Sequence, residues 1–306
     1  MSLESAERSI SSTKSSGKGQ SLFFPGIWFV LPALLVILAL LIYPLFDSFY
    51  LSFTNSSIVK TEHSFIGLEN YISLFTSDSA FRNALMNSLL LTVTFVPASV
   101  FASLVLGVAV YENMGNRAVS FLELVIFSPT GVGLTFAMLM WLWIFDQYGW
   151  LNYTLYTAFN IEPLNMLGSS TSTILTASLV TFWKHLGFNM LFVLAGLSRI
   201  PRSIVEAAVI DGAGWWQSLF RVILPNLRES MAIVTITSII AALKAYEQVW
   251  AISRGGGNID VLYTYMYKTS FLYFDLGKGA AIAYIMAFLI LAMSALSLLR
   301  TRGYRG

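Results

Sequence analysis

The stretch LFFPGIWFVLPALLVILALLIYPL, residues 22–45, carries no charged side chain, and its reading decides the fold class. A span needs roughly 20 apolar residues to cross about 30 Å of hydrocarbon. A cleavable signal has an apolar core of only about 7–15 residues, followed by small residues at the cut. This stretch is too long and lacks the cleavage pattern, so it reads as a retained membrane helix. The same criterion finds five more spans, at 82–111, 119–145, 173–197, 230–250 and 277–299. The expected fold is therefore all-α, a polytopic integral membrane protein with six transmembrane helices forming one domain over 22–300. Residues 1–21, rich in Ser, Gly and Lys, read as a disordered polar tail, and 301–306 as a second short tail.

Composition agrees with this reading and narrows the function. Of the 306 residues, 56% are hydrophobic and 11% are charged, which is too little charge to cover a water-soluble surface of this size. A net charge of +2 with scattered basic residues excludes a nucleic-acid binder of the usual kind. The absence of cysteine excludes disulfides, thiolate zinc sites and a cysteine nucleophile. His63 and His185 are too far apart in the chain to suggest a metal site. Pro97 and Pro129 fall inside the second and third spans and are expected to kink them.

Lys and Arg in the loops give the orientation. Arg117, Arg199, Arg202, Arg221, Arg228 and Arg300 lie with the basic N-terminal tail on one side, against Lys60, Arg82, Arg254, Lys268 and Lys278 on the other. Both termini are therefore expected in the cytoplasm of a bacterial cell, with the spans in its inner membrane.

The longest loop on that side, 198–228, is not built like a linker. Pro201 suits a helix start, and Ile204, Ala207, Ala208 and Asp211 follow at spacings of three and four along one face. Ser203 and Glu206 fit a capping box. Gly212 and Gly214 are expected to end this helix, and a second short one is expected over 215–223, stopped by Leu224-Pro225. The small face, edged by the carboxylates of Glu206 and Asp211, reads either as a plug for a groove in a partner or as a loop helix packed on its own bundle.

The residues EAAVIDGAGWWQSLFRVILP, 206–225, resemble the EAA loop of ABC importer permeases, with Glu-Ala-Ala, Asp-Gly-Ala, Phe and Leu-Pro at the family's distances. The resemblance extends to FIGLENYISLF at 65–75, to YEQVW at 246–250 and to GKGAA at 277–281, and it points to the first permease subunit of carbohydrate and glycerol-phosphate importers. Where that family often has Thr-Gly-Gly-Gly-Pro, this chain has Ser253-Arg-Gly-Gly-Gly-Asn258. The resemblance implies that Glu206, Ala207, Ala208, Asp211, Gly212 and Ala213, with Leu224 and Pro225, form a cytoplasmic coupling loop for an ATP-hydrolysing subunit. It further implies a second permease, two copies of the ATPase, an extracytoplasmic solute-binding protein, and a carbohydrate or glycerol-phosphate solute. No phosphate-binding loop with its Gly-Lys-Ser/Thr ending occurs in the chain, so ATP and magnesium are expected in the partner and no cofactor here.

Polar residues within spans are costly and usually face the bundle interior or water. Trp183, Lys184 and Asn189 in the fourth span, and Lys244, Tyr246 and Glu247 in the fifth, are candidates to line a translocation path. Aromatic faces would stack on sugar rings and amides would bond hydroxyls. Lys244 and Glu247, three apart, have the plainer reading of a neutralising pair, and His185 reads as a buried hydrogen-bonding residue. An ion-gradient-driven transporter is the alternative, predicting internal repeats and intramembrane carboxylates. An intramembrane enzyme would need a catalytic set that the spans lack.

Overall fold

A computed structural model describes residues 23–59, 64–254 and 259–302. The predicted tail at 1–21, His63, the Gly255-Gly-Gly257 run with Asn258, and 303–306 lie outside the described residues. Five helices are long and apolar enough to cross a membrane, Trp28–Leu51, Ser79–Glu112, Ser170–Leu197, Arg228–Ile252 and Leu276–Leu299. A bent pair, Arg117–Gly131 with Leu134–Phe159, makes a sixth when counted as one span. They are called the first to sixth spans in chain order. No strand occurs among the described residues, only two isolated β-bridges.

The residues up to Tyr50 and those from Leu51 onward form two compact units. In the first unit the helix runs well past the expected end at Leu45, and it does so through a proline. Pro44 lacks an N–H and would clash with the carbonyl four residues back. A π turn over Leu38–Ile42 precedes it. The same device, a π turn over Leu219–Ile223, precedes Pro225. Such a turn shifts the bonding register by one residue, so the chain passes the proline without ending the helix.

In the second unit the second, fourth and fifth spans form the centre. Helices in lipid gain nothing from hiding apolar surface, so close approach and polar bonds hold them together. Ser99, bonded by Asn189, and Gly107, where a Cβ would strike Val193, bring the second span against the fourth. Thr94 Oγ1 and Ser178 Oγ share a 2.9 Å hydrogen bond between them. Leu91, Phe95, Ile174, Val180, Ile239 and Leu243 fill the space around these contacts. The second span continues as one helix through Pro97.

Two expected spans differ. The third is not one kinked helix over 119–145: it breaks at Ser128–Gly131, and its halves meet at 105°. Pro129 and the flanking glycines Gly131 and Gly133 favour this, since proline removes a donor and glycine permits the turn. The fifth ends its first helix at Leu243 and resumes at Tyr246, with the Lys244 carbonyl accepting from Tyr246 N–H at 2.7 Å.

On the side predicted to face outward, a polar latch joins elements far apart in sequence. Asp78 caps the second span, accepting from Phe81 N–H at 2.9 Å. Its other oxygen meets Lys278 Nζ at 2.6 Å and the Tyr265 hydroxyl at 2.7 Å. Asn70 donates to the carbonyls of Ser52 and Thr54, and Asn87 to that of Asp260. Burial pushes the Asp78 carboxyl up, but the bonds from Lys278, Phe81 and Tyr265 outweigh it and hold it below its ordinary value. A carboxylate with a depressed pKa stabilises the fold above its unfolded pKa, and that contribution is lost as the pH falls through the folded value. Thermal unfolding in detergent should thus show wild-type stability falling as the pH drops through about 4 and below. Asp78→Asn should start less stable at neutral pH and lose less on acidification. Equal pH slopes for the two proteins would contradict the latch.

Candidate functional site

The 198–228 loop folds as a helix, a glycine break and a second helical segment. Its first helix spans Arg202–Ile210, with Pro201 at the N-cap. The expected capping box does not form: Pro201 stands where the cap would be, no side chain caps the helix, and Ser203 lies inside it. The C-terminus closes as anticipated. Gly212 has φ +82°, Ala213 N–H bonds the Ala208 carbonyl at 2.9 Å, and Gly212 N–H bonds that of Val209 at 3.0 Å. This paired return requires a left-handed residue, which glycine supplies cheaply. The second segment does not stop at Leu224-Pro225. It runs from Trp215–Ser218 through the π turn to Leu224–Asn226.

The loop helix buries none of its residues. Val205 and Ala208 turn toward the bundle, while Glu206, Ala207, Asp211 and Gly212 are exposed and Ala213 is half-buried. Val209 and Ile210 are 61% and 84% exposed, and Trp216 and Phe220 lie open beyond the break with their rings stacked at 5.9 Å. Leu224 and Pro225 are half-buried at the root of the loop. Ile200, Leu219 and Ile223 anchor that root on Val108, Leu197 and Leu227.

The fourth span leads directly into this loop, and its polar residues are engaged. The break in the third span turns the carbonyls of Pro129, Thr130 and Val132 toward Lys184, whose ammonium donates to all three, at 2.8 Å to Pro129 and 2.9 Å to Thr130. One turn further on, a Cβ at Gly187 would lie 2.4 Å from the Ile126 carbonyl, so only glycine admits the elbow this close. Asn189 is buried and donates to Ser99 Oγ at 2.7 Å and Ser238 Oγ at 3.0 Å, tying the second, fourth and fifth spans. The ring of His185 lies against Phe95 at 6.0 Å. Trp183 meets Trp141 edge-on at 5.5 Å, where the indole N–H of Trp141 is buried with its hydrogen-bonding capacity unused, as is the hydroxyl of Thr130 at the elbow.

The fifth-span candidates gather at its break. Lys244 and Glu247 are exposed and form no ion pair with each other, because the break rotates the helix between them. Tyr246 stacks on Trp250 at 5.5 Å and packs with Tyr263 and Tyr267 at 5.3 and 5.2 Å. Gln248, which the sequence reading passed over, is 3% exposed on the opposite face. Its signal was available as an uncharged amide one turn beyond an interrupted helix. Ser99 and Ser238 gave no such signal, since serine is common inside membrane helices.

Comparison with known proteins places this architecture. No family model matches the chain. The osmoprotective compounds uptake permease protein GgtC of Synechocystis is 30% identical over 269 residues, covering 86% of this chain and 93% of the relative. The sulfoquinovosyl glycerol transport system permease protein SmoG of Agrobacterium fabrum is 31% identical, covering 89% of each chain. The chain is a member of the ABC transporter permeases. A bacterial ABC transporter involved in the import of alginate has the same fold, with a TM-score of 0.74 at 18% identity over 92% of this chain and 96% of that one.

Membership in the ABC permeases sets aside the gradient-driven alternative. In this permease the third-span break has a local explanation. An ammonium has three donors, and three carbonyls meet it. Hydrogen bonds to a charged group contribute about 2 kcal/mol net. Lys184→Met should therefore lower thermal stability by several degrees and expose the Ser128–Gly131 segment to limited proteolysis. An unchanged melting temperature and cleavage pattern would show that Lys184 does not hold the elbow.

Proposed function

We propose that this permease pairs with a second permease and two ATP-hydrolysing subunits to import a carbohydrate or carbohydrate-like solute, glycerol phosphate included, delivered by an extracytoplasmic binding protein. The observation that carries the reading is the loop 198–228. Val209, Ile210, Trp216 and Phe220 stand exposed on it beside Glu206 and Asp211. Exposed apolar clusters rimmed by charge mark interaction sites, and a helix with no buried residue is held out for a partner more readily than for its own bundle. Because 206–225 resembles the EAA loop, the partner is the ATPase. Glu206, Ala207, Ala208, Asp211, Gly212 and Ala213 meet it, while Leu224 and Pro225 set the angle of the loop's return to the membrane. The loop, the tails and the cluster of basic residues then lie in the cytoplasm.

Curated relatives support the solute class. Besides SmoG, the alpha-glucoside transport system permease protein AglF of Rhizobium meliloti is 31% identical over 272 residues. The path runs along the fourth and fifth spans. Trp183 offers an aromatic face beside the unused donor of Trp141, and Tyr246 with the exposed Lys244 and Glu247 forms its other wall. Lys184 and Asn189 shape the path by fixing helices rather than by holding solute in this conformation. ATP-driven closure of the ATPase pair would push on the loop and shift the spans between two access states, a coupling between separate sites through rigid elements.

Affinity purification of the tagged chain from its native membrane tests the docking directly. The wild-type chain should bring down an ATPase and a second permease, and Glu206→Lys should lose the ATPase by about tenfold while its spans remain inserted. Full ATPase recovery with Glu206→Lys would remove the loop from the interface.

A further inference from the structure

Packing alone does not join the loop to the end of the second span. Between them lies a cavity of about 410 Å³, lined by Val108, Tyr111, Leu197, Ile200, Val205 and Ile223. The loop helix buries no residue against the bundle. Across this gap, among the described residues, Trp215 Nε1–H donates to Glu112 Oε1 at 2.6 Å, joining residues 103 positions apart. Glu112 is the last residue of the second span and Trp215 opens the loop's second helix. Trp215 is in turn fixed by its neighbour, the rings of Trp215 and Trp216 meeting edge to face at 4.5 Å. The bond is short, both partners are exposed to solvent, and the indole has no second donor to divert.

What lies at the other end of the second span gives this contact its meaning. The span is a single helix of 34 residues, about 51 Å long at 1.5 Å per residue. Its far end is Asp78, the centre of the latch with Lys278 and Tyr265. A helix held by a charged group at both ends, and by Asn189 and the Thr94–Ser178 bond in between, moves as a rod. The geometry points to Glu112 as a positioning residue for transport: the Glu112–Trp215 bond is the tether through which displacement of the loop is passed to the second span and so to the latch on the opposite side. This rests on the loop being the ATPase docking site. Removing the tether leaves the loop joined to the second span only through the apolar cluster of Val108 and Tyr111 with Val205, Leu219 and Ile223 beside the cavity, so displacement of the loop is passed less fully to the rod.

The test uses the whole assembled transporter, with MgATP and the binding protein as probes and binding-protein-stimulated ATP hydrolysis as the readout. Trp215→Phe keeps the ring and deletes the N–H; Glu112→Leu deletes the acceptor; Glu112→Gln keeps an acceptor oxygen. Each complex should assemble. Glu112→Leu and Trp215→Phe should each reduce the stimulation about tenfold, within the usual span of coupling strengths, and the double variant should be no worse than either single. Glu112→Gln should retain most of the stimulation, a rescue that a bulk packing role would not give. Full stimulation in either single variant, or losses that multiply in the double, would overturn the tether. Should these variants fail to assemble, Glu112→Cys with Trp215→Cys in this cysteine-free chain, joined by a short bifunctional thiol reagent, decides. Stimulation that survives cross-linking is expected, and its loss, or failure to cross-link, overturns the proposal. Glu206→Lys separates the two levels. If it keeps ATPase and stimulation, the docking reading fails; if it loses the ATPase while Glu112→Leu is silent, only the tether fails.

Discussion

In hydrocarbon no water is present to satisfy a carbonyl that has lost its helix partner, and this chain breaks a spanning helix in its third span. Everything near the break follows from how those carbonyls are met. The fourth span supplies the Lys184 ammonium to three of them and, at Gly187, the clearance that lets two backbones come close. Two residues on, Asn189 fastens the second and fifth spans to the same helix. The fourth span is thus the element on which the second, third and fifth converge, and it runs without interruption into the loop that carries the permease signature.

That arrangement is what the proposed coupling requires of a loop exposed at its tip. Its root is anchored on apolar residues of the second, fourth and fifth spans, while its tip buries nothing. In the proposed coupling, a partner that moved the tip would act on the root, which packs on the central helices. Those helices are held together by close approach at small residues and by inter-helix hydrogen bonds, with Leu91, Phe95, Ile174 and Leu243 filling the space around them.

Much of this was legible in the sequence because membrane and helix-end rules are local. Six apolar stretches gave the spans, and Gly212 gave the left-handed close of the loop helix. The EAA-like residues gave the family. What escaped notice depended on contacts between distant segments. Lys184 and Asn189 are polar in a span whether they face solute or a neighbouring helix, and only the position of the third-span carbonyls or of Ser99 and Ser238 tells these apart. The separation of Lys244 from Glu247 needed the break at Lys244–Ala245, which no Gly or Pro announces. The π turn ahead of Pro225 defeated the rule that proline stops a helix, because the rule counts one bonding register and the chain used another.

The account stands most directly on the source of energy for transport. The chain, its partner permease and the ATPase should be reconstituted in proteoliposomes, with the binding protein outside and a panel of labelled oligosaccharides as probes. The account predicts uptake that requires ATP on the ATPase side and the binding protein on the other, and that is indifferent to ionophores. Uptake by the chain alone that follows an ion gradient and ignores ATP would contradict it.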